Sequence, residues 1–567
     1  MSSPPDCVIR NATVVDGLGN ERRTADVAIA AGRIAAVGTV PERGRAEFDA
    51  AGLVLAPGFV DLHTHYDAQA TWDPTLSPSP SLGVTTVVAG NCGFGIVPSP
   101  PPLRETILRN LSVVEGMDLA ALRAGVDWQF ESLGEYLDTL DRRGLYANVA
   151  VLFGHSAVRT AVMGEDAYAR KTPTAEELAT MQRLVREAMA DGAIGLGASY
   201  SQNHSGFGGR PMPSTISDWS ELDALAGAMG EPGRGVVQMA AGARTIDELE
   251  GLSAKHGRLV CMSGVAALYN AQAPDLSRNL FAACEAAQRR GHPVHAQISC
   301  HPLSFDFTMA NAYPFFSHDA FAALKGAPKD RLLAAFADPA FRARFRENLR
   351  NAQPGMIFFG NWDRVIIAAP ALPKHTDLMN RSVGDLARLR GIDPVDAVFD
   401  LVIEEDLGTA FLGQFLNVDD DGVAPLLKHP AGVLAFSDAG AHLVYLCDAG
   451  FGLHFLARWV RERGDFTLEE AVRRLTSHPA ALYGIPDRGR IVPGAWADLV
   501  LFDPATVNMS PAERVADLPG GGIRTIRRPV GVYGVFVNGV RVFDGKDYVP
   551  MAKGPGRALR EFGRPGG

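Results

Sequence analysis

The residues best suited to chemistry are His63 and His65, which close the stretch Leu53-Val54-Leu55-Ala56-Pro57-Gly58-Phe59-Val60-Asp61-Leu62-His63-Thr64-His65-Tyr66-Asp67. An apolar run broken by Pro-Gly reads as a buried strand, and in a strand residues i and i+2 share a face. Both imidazoles then project together as a ready pair of metal ligands. The bland reading of His-x-His is one hydrogen-bonded core histidine and one facing solvent. The following Tyr66 and Asp67 favour the metal.

Two further positions at the ends of apolar runs carry metal-compatible side chains. Asp438 follows Val433-Leu434-Ala435-Phe436, so a carboxylate emerges where burial demands a cation or several donors. The same residue also suits an Asx-turn or a helix N-cap. Cys92, between Asn91 and Gly93, is by type a small buried hydrophobe, and at a strand end it becomes a soft ligand for zinc. Gly206-Phe207-Gly208-Gly209-Arg210 is like a phosphate loop in composition only, since no strand-to-helix context with Lys-Ser/Thr follows.

The elements that must position these residues recur along the middle of the chain. Short apolar segments at 59–62, 85–89, 147–153, 193–196, 235–239, 259–262, 293–298 and 433–436 alternate with helical patterns at 132–143, 174–190, 219–229, 279–290, 321–324 and 467–476. The clearest helix opens on the capping box Thr174-Ala175-Glu176-Glu177 and carries Leu178, Met181, Leu184, Val185 and Met189 on one stripe. Eight strands alternating with helices predict an α/β fold, a (β/α)8 barrel with its active site at the C-terminal strand ends. The long interval 301–430 must insert over the barrel mouth, and its aromatic run 305–316 suits either lid packing or an apolar pocket wall. Hairpin-like strands near both termini, including a turn at Asn538-Gly539, predict one discontinuous β-domain of 1–56 and 485–567 flanking a barrel domain of 57–484. Two independent small β-domains are the alternative.

With 567 residues, the chain exceeds what a single hydrophobic core accommodates. A formal charge of −10 argues against a nucleic-acid partner, and no apolar run of membrane-spanning length occurs. The six cysteines have no disulfide-like spacing and residues 1–6 have no leader character, which predicts a soluble cytoplasmic protein. Its partner would be a small-molecule substrate, and self-association into a homo-oligomer is left open.

Several of these stretches resemble the amidohydrolase superfamily: Pro57-Gly58-Phe59-Val60-Asp61 followed by His63-Thr64-His65, Gly154-His155-Ser156-Ala157-Val158-Arg159, Ser437-Asp438-Ala439-Gly440, and Gly489-Arg490-Ile491-Val492-Pro493-Gly494-Ala495-Trp496-Ala497-Asp498-Leu499-Val500. Gly90-Asn91-Cys92-Gly93 makes the chain most similar to the N-acyl-D-amino-acid deacylase group. The resemblance implies a metal-dependent hydrolase with a distorted barrel and a small β-sandwich. By motif, His63 and His65 would hold zinc, Asp438 would ligate it and take the water proton, and Cys92 would join the metal centre. The deacylases also carry metal-binding histidines at the ends of the fifth and sixth strands. Here those places read Val236-Val237-Gln238-Met239 and Val260-Cys261-Met262-Ser263, and the fourth strand offers no lysine. One zinc ion rather than two is therefore expected.

For substrate contacts the candidates are Gln238, able to orient an amide, His295 and His301 at or just beyond the seventh strand, His155 at the mouth, and His442. The expected activity is zinc-dependent hydrolysis of an amide C–N bond in an N-acyl amino acid or related small carboxamide. Cyclic amide, imide or ester hydrolysis on a larger apolar substrate, and a non-catalytic scaffold, are the alternatives.

Overall fold

Eight apolar runs, each too short to be a helix, become the parallel strands of one curled sheet. The computed structural model describes residues 4–231, 233–351, 356–443 and 447–565. Its barrel strands are β1 (Phe59–Asp61), β2 (Val84–Ala89), β3 (Asn148–Gly154), β4 (Gly195–Ser199), β5 (Val236–Ala240), β6 (Leu259–Ser263), β7 (Val294–Ile298) and β8 (Gly432–Leu434), neighbours in that order. Every residue of β2 to β6 is buried, which is why these segments read as continuous apolar runs rather than alternating ones. The eighth strand is shorter than its apolar run, because the chain leaves the ladder after Ala435, whose amide still donates to the Ile298 carbonyl at 3.1 Å. Closure comes just past the strand ends, where Thr64 bridges Ala439, the His65 amide donates to the Ala439 carbonyl at 2.7 Å, and the Asp438 amide donates to the His63 carbonyl at 3.1 Å.

The helices between strands begin where their caps dictate. Ser132 with Glu135 and Thr174 with Glu177 form reciprocal capping boxes that open Leu133–Arg143 and Ala175–Asp191. On the second helix Met181, Val185 and Ala188 are buried, while Leu178, Leu184 and Met189 pack at the margin. The helix expected at 279–290 starts earlier, at Pro274, which suits a first helical turn. The short pattern at 321–324 is a 3-10 turn, Asp319–Leu324, rather than an α-helix.

Both ends of the chain enter one eight-stranded sheet. Val54–Pro57 runs parallel to Cys7–Val14, with Thr13 beside Val54, and antiparallel to Leu499–Phe502, with Leu499 beside Pro57. Val532–Val537 and Val540–Phe543 complete the C-terminal side, turning at Asn538 and Gly539, both with positive φ. Ile9, Val27, Ile29, Leu55, Leu499, Leu501 and Phe536 form its separate core. The fold is thus a TIM-like barrel carrying a small β-sandwich. Val54–Pro57 continues through Gly58 directly into β1, so the strand that aims the His-x-His pair is held by both ends of the chain. Beyond Tyr548 the tail returns to the barrel, where Gly556 donates to Leu145 at 2.7 Å and Leu559 to Val149 at 2.7 Å.

Over the barrel mouth stands a three-stranded antiparallel sheet of Leu303–Thr308, Ala410–Leu416 and Val365–Ala369. It is backed by a nest of aromatic rings including Phe315, Phe321, Phe336, Phe341, Phe345 and Phe399. The aromatic run divides accordingly: Phe315 packs inside the lid, while Phe305, Phe307 and Tyr313 line the cavity beneath it. No helix among the described residues is long and apolar enough to cross a membrane.

Candidate active site

His63 and His65 emerge from β1 into the barrel mouth, both buried. Each ring is tied down through Nδ1. His63 Nδ1 lies 2.6 Å from Gln297 Oε1, and the Gln297 amide donates in turn to the Tyr483 hydroxyl at 3.1 Å. His65 Nδ1 lies 3.3 Å from Glu115 Oε1. With Nδ1 engaged, both Nε2 atoms face inward, 3.4 Å and 3.1 Å from the same oxygen, Asp438 Oδ1. Cys92 Sγ stands 3.7 Å from His63 Nε2.

Ligand atoms of His63, His65 and Cys92 lie within 4.8 Å of one another. Two imidazoles, a thiol and a carboxylate, with carboxylate and amide partners fixing the rings from behind, fit a borderline divalent ion such as zinc. The backbone is bent to achieve this convergence. Cys92, Phe436, Asp438 and His442 all adopt left-handed φ values of 55°, 75°, 55° and 51°. Such positions cost roughly 1–3 kcal/mol each and persist only where surrounding structure enforces them. Gly440, at φ 96°, passes so close to His65 that a Cβ there would meet its carbonyl at 2.7 Å.

Burial and charge set the protonation of these groups. Burial pushes His63 down to about 4. Burial acts the same way on His65, but Glu115 and Asp438 outweigh it and hold that imidazole above its usual value. Burial opposes ionisation of Asp438, yet the hydrogen bond to His65 and the neighbouring imidazoles keep its carboxyl below the usual carboxylate range. Asp61, buried below the pair, accepts from Ser437 Oγ at 2.5 Å and is pushed up to about 7 by burial.

The cluster opens into a cavity of about 650 Å³ roofed by the lid, with 26% of the Asp438 side chain exposed. His442 lines it, its Nδ1 3.2 Å from Asp306 Oδ1. Gln238 contacts the site differently from expectation: its Oε1 accepts the Cys92 amide at 3.2 Å and its Nε2 donates to Ser263 Oγ at 2.6 Å. The inward ends of β5 and β6 are therefore joined to each other by neutral side chains.

Three expected substrate contacts lie elsewhere. His155 opens the helix His155–Met163 and turns away from the cavity, where its Nε2 lies 2.6 Å from Glu221 Oε1 and Arg159 completes a buried ion pair. His295 shares the inward face of β7 with Gln297 but sits one layer nearer the closed end of the barrel, among groups that include His478. His301 is buried behind the mouth, 3.4 Å from Ser299 Oγ and 3.6 Å from Asp448 Oδ2.

The sequence reading also missed residues. Glu115 stands alone in the apolar Leu111-Ser112-Val113-Val114-Glu115-Gly116-Met117, the one local hint of its burial. His204 reaches the cavity from the loop after β4, its Nδ1 2.7 Å from Ser199 Oγ and its ring edge-on to Phe94. Asp306, inside the aromatic run, was passed over as lid.

Comparison with known proteins gives one consistent picture. The amidohydrolase family model matches residues 46–543. An uncharacterized protein of Mycobacterium tuberculosis is 29% identical over 96% of this chain and 92% of its own length. The D-aminoacylase of Alcaligenes xylosoxydans xylosoxydans is 28% identical over 96% of this chain and 95% of its own. The crystal structure of N-acyl-D-glutamate deacylase from Bordetella bronchiseptica, complexed with zinc and a phosphonate mimic of the tetrahedral intermediate, superposes with a TM-score of 0.68. That match is at 27% identity and covers 99% of this chain and 100% of that one.

Proposed function

The chain belongs to the amidohydrolase family and is a metal-dependent hydrolase of carbon–nitrogen bonds, and from that premise we propose that it cleaves the amide of an N-acyl amino acid or related carboxamide. The observation that carries this reading is the convergence of His63, His65, Cys92 and Asp438 at the floor of the 650 Å³ cavity. The similarity to D-aminoacylase and N-acyl-D-glutamate deacylase supports the acyl amide.

His63, His65 and Cys92 would hold one zinc ion, with Asp438 beside it. Bound there, the metal supplies Lewis acidity, which acidifies water and polarises an amide carbonyl. Glu115 and Gln297 orient the two imidazoles through Nδ1. Asp438 Oδ1, kept ionised by its imidazole neighbours, receives the proton of the attacking water and returns it to the departing nitrogen. The C–N bond breaks, water oxygen joins the acyl carbon, and the products are a carboxylic acid and an amine. A single metal is favoured because Gln238 and Ser263, bonded to each other, occupy the inward ends of β5 and β6.

In the same reading, residues 57–484 are the catalytic domain, with the lid at 301–430, and 1–56 with 485–567 the sandwich. Six free cysteines and a charge of −10 support a cytoplasmic enzyme with no nucleic-acid partner. The test is metal analysis of purified protein alongside His63→Ala. About one zinc per chain and loss of both zinc and amide hydrolysis in the variant are expected; metal-free, fully active protein would sink the proposal.

A further inference from the structure

We infer that the substrate of this site is an amide bearing a bulky apolar group and no free carboxylate, a narrowing that rests on the hydrolase reading above. An N-acyl amino acid carries an ionised carboxylate, which a cation meets most strongly once it is inside the cavity. Among the described residues, Arg244 is the one lysine or arginine that lines it. Residues 352–355 and 444–446, beyond the described set, add none, since they read Ala-Gln-Pro-Gly and Val-Tyr-Leu.

Arg244 is already engaged. Its Nη1 lies 2.9 Å from Glu248 Oε1, and its guanidinium rests 4.5 Å over Tyr200 and 5.0 Å over Trp219. His442 is matched by Asp306 at 3.2 Å. The cavity also presents three carboxylates, Glu115, Asp306 and Asp438. A substrate carboxylate would find no unmatched cation among the described residues of the lining, which discriminates against it.

The remaining wall supplies the attraction. Val113, Val114, Leu280, Phe305 and Ile357 line the same space, and Leu276, 50% exposed on the helix Pro274–Arg289, extends this surface outward. A cavity of about 650 Å³ with this apolar stretch in its wall suits a long acyl chain or an aryl group better than an acetyl group. Each methylene buried against such a wall is worth roughly fourfold in binding. N-acyl amines and anilides are the compound class that combines a neutral amide with apolar flanks.

The experiment compares N-octanoyl-D-leucine and N-octanoyl-3-methylbutylamine, the same amide without the carboxylate, and adds N-acetyl-3-methylbutylamine. Hydrolysis is followed with zinc-loaded protein and binding by calorimetry with metal-stripped protein, which leaves the amide intact. Expected is a kcat/KM at least tenfold higher for the carboxylate-free octanoyl amide, tighter binding in the same order, and a weaker acetyl compound. Leu276→Asp should raise KM for the octanoyl amide severalfold. Preference for the leucine acid, or equal handling of octanoyl and acetyl, would overturn the inference. Selective binding of the apolar amide without turnover of any amide would overturn the hydrolase reading and leave the ligand class standing.

Discussion

Glu115 sets its carboxylate 3.3 Å from Nδ1 of His65, on the side of the ring away from the Nε2 that meets Asp438. This one contact fixes which nitrogen of His65 is available to a metal and pairs the buried ring with a charge. Glu115→Gln should therefore weaken zinc binding by about 10- to 100-fold, the range typical of lost partners behind a ligand. Competition with a chromogenic chelator measures it, and unchanged affinity would mean that Glu115 does not orient the ring.

Asp438→Asn removes the proton acceptor and keeps the shape of the side chain. Amide hydrolysis should fall by about 10²- to 10⁴-fold, the usual contribution of a positioned base, while His63, His65 and Cys92 retain most of the zinc. Turnover and metal content on the same preparation separate the two roles.

Gly440→Ala places a methyl group 2.7 Å from the His65 carbonyl at a φ that side chains avoid. Zinc content should drop sharply while far-UV circular dichroism keeps the barrel signature. Normal zinc loading in this variant would show that the loop yields without moving His65.

Gln238→Ala leaves the buried Cys92 amide and the Ser263 hydroxyl without their partner. Losing a buried hydrogen bond in this way costs about 1–3 kcal/mol. The urea midpoint should fall accordingly, with a smaller loss for Gln238→Glu in its protonated range.

His318 is buried between Phe315 and Phe345, and burial pushes its imidazole down to about 4, against the pull of Asp319. The folded protein keeps the ring neutral, whereas the unfolded chain protonates it near 6.5. The unfolded state therefore binds more protons below about pH 6.5, and stability must fall as pH drops from there toward 4, by roughly 3 kcal/mol at most from this residue. His318→Leu should flatten that part of the urea-midpoint profile; an unchanged profile would place the acid sensitivity elsewhere.

The barrel was legible because its strands are short apolar runs, and the metal cluster because His-x-His, Cys and Asp lie just past the ends of three of them. Glu115 was not, because a single acid capping the apolar end of the helix Arg104–Val114 acquires meaning only when that end packs over His65. His155, His295 and His301 were misjudged for a related reason. Sequence placed them near strand ends but could not tell the cavity from the helix layer behind it or from the barrel's closed end. Gln238 was legible as an inward polar residue, yet its partners, Cys92 and Ser263, come from neighbouring strands.

The strand Val54–Pro57, which runs on into β1, is flanked by Cys7–Val14 on one side and by Leu499–Phe502 on the other. During synthesis the first flank is made before the barrel and the second only after it. Until then the strand that leads into His63 and His65 has a neighbour on one side only in the small sheet. The sheet that steadies the histidine strand is therefore completed by one of the last strands of the fold to be made.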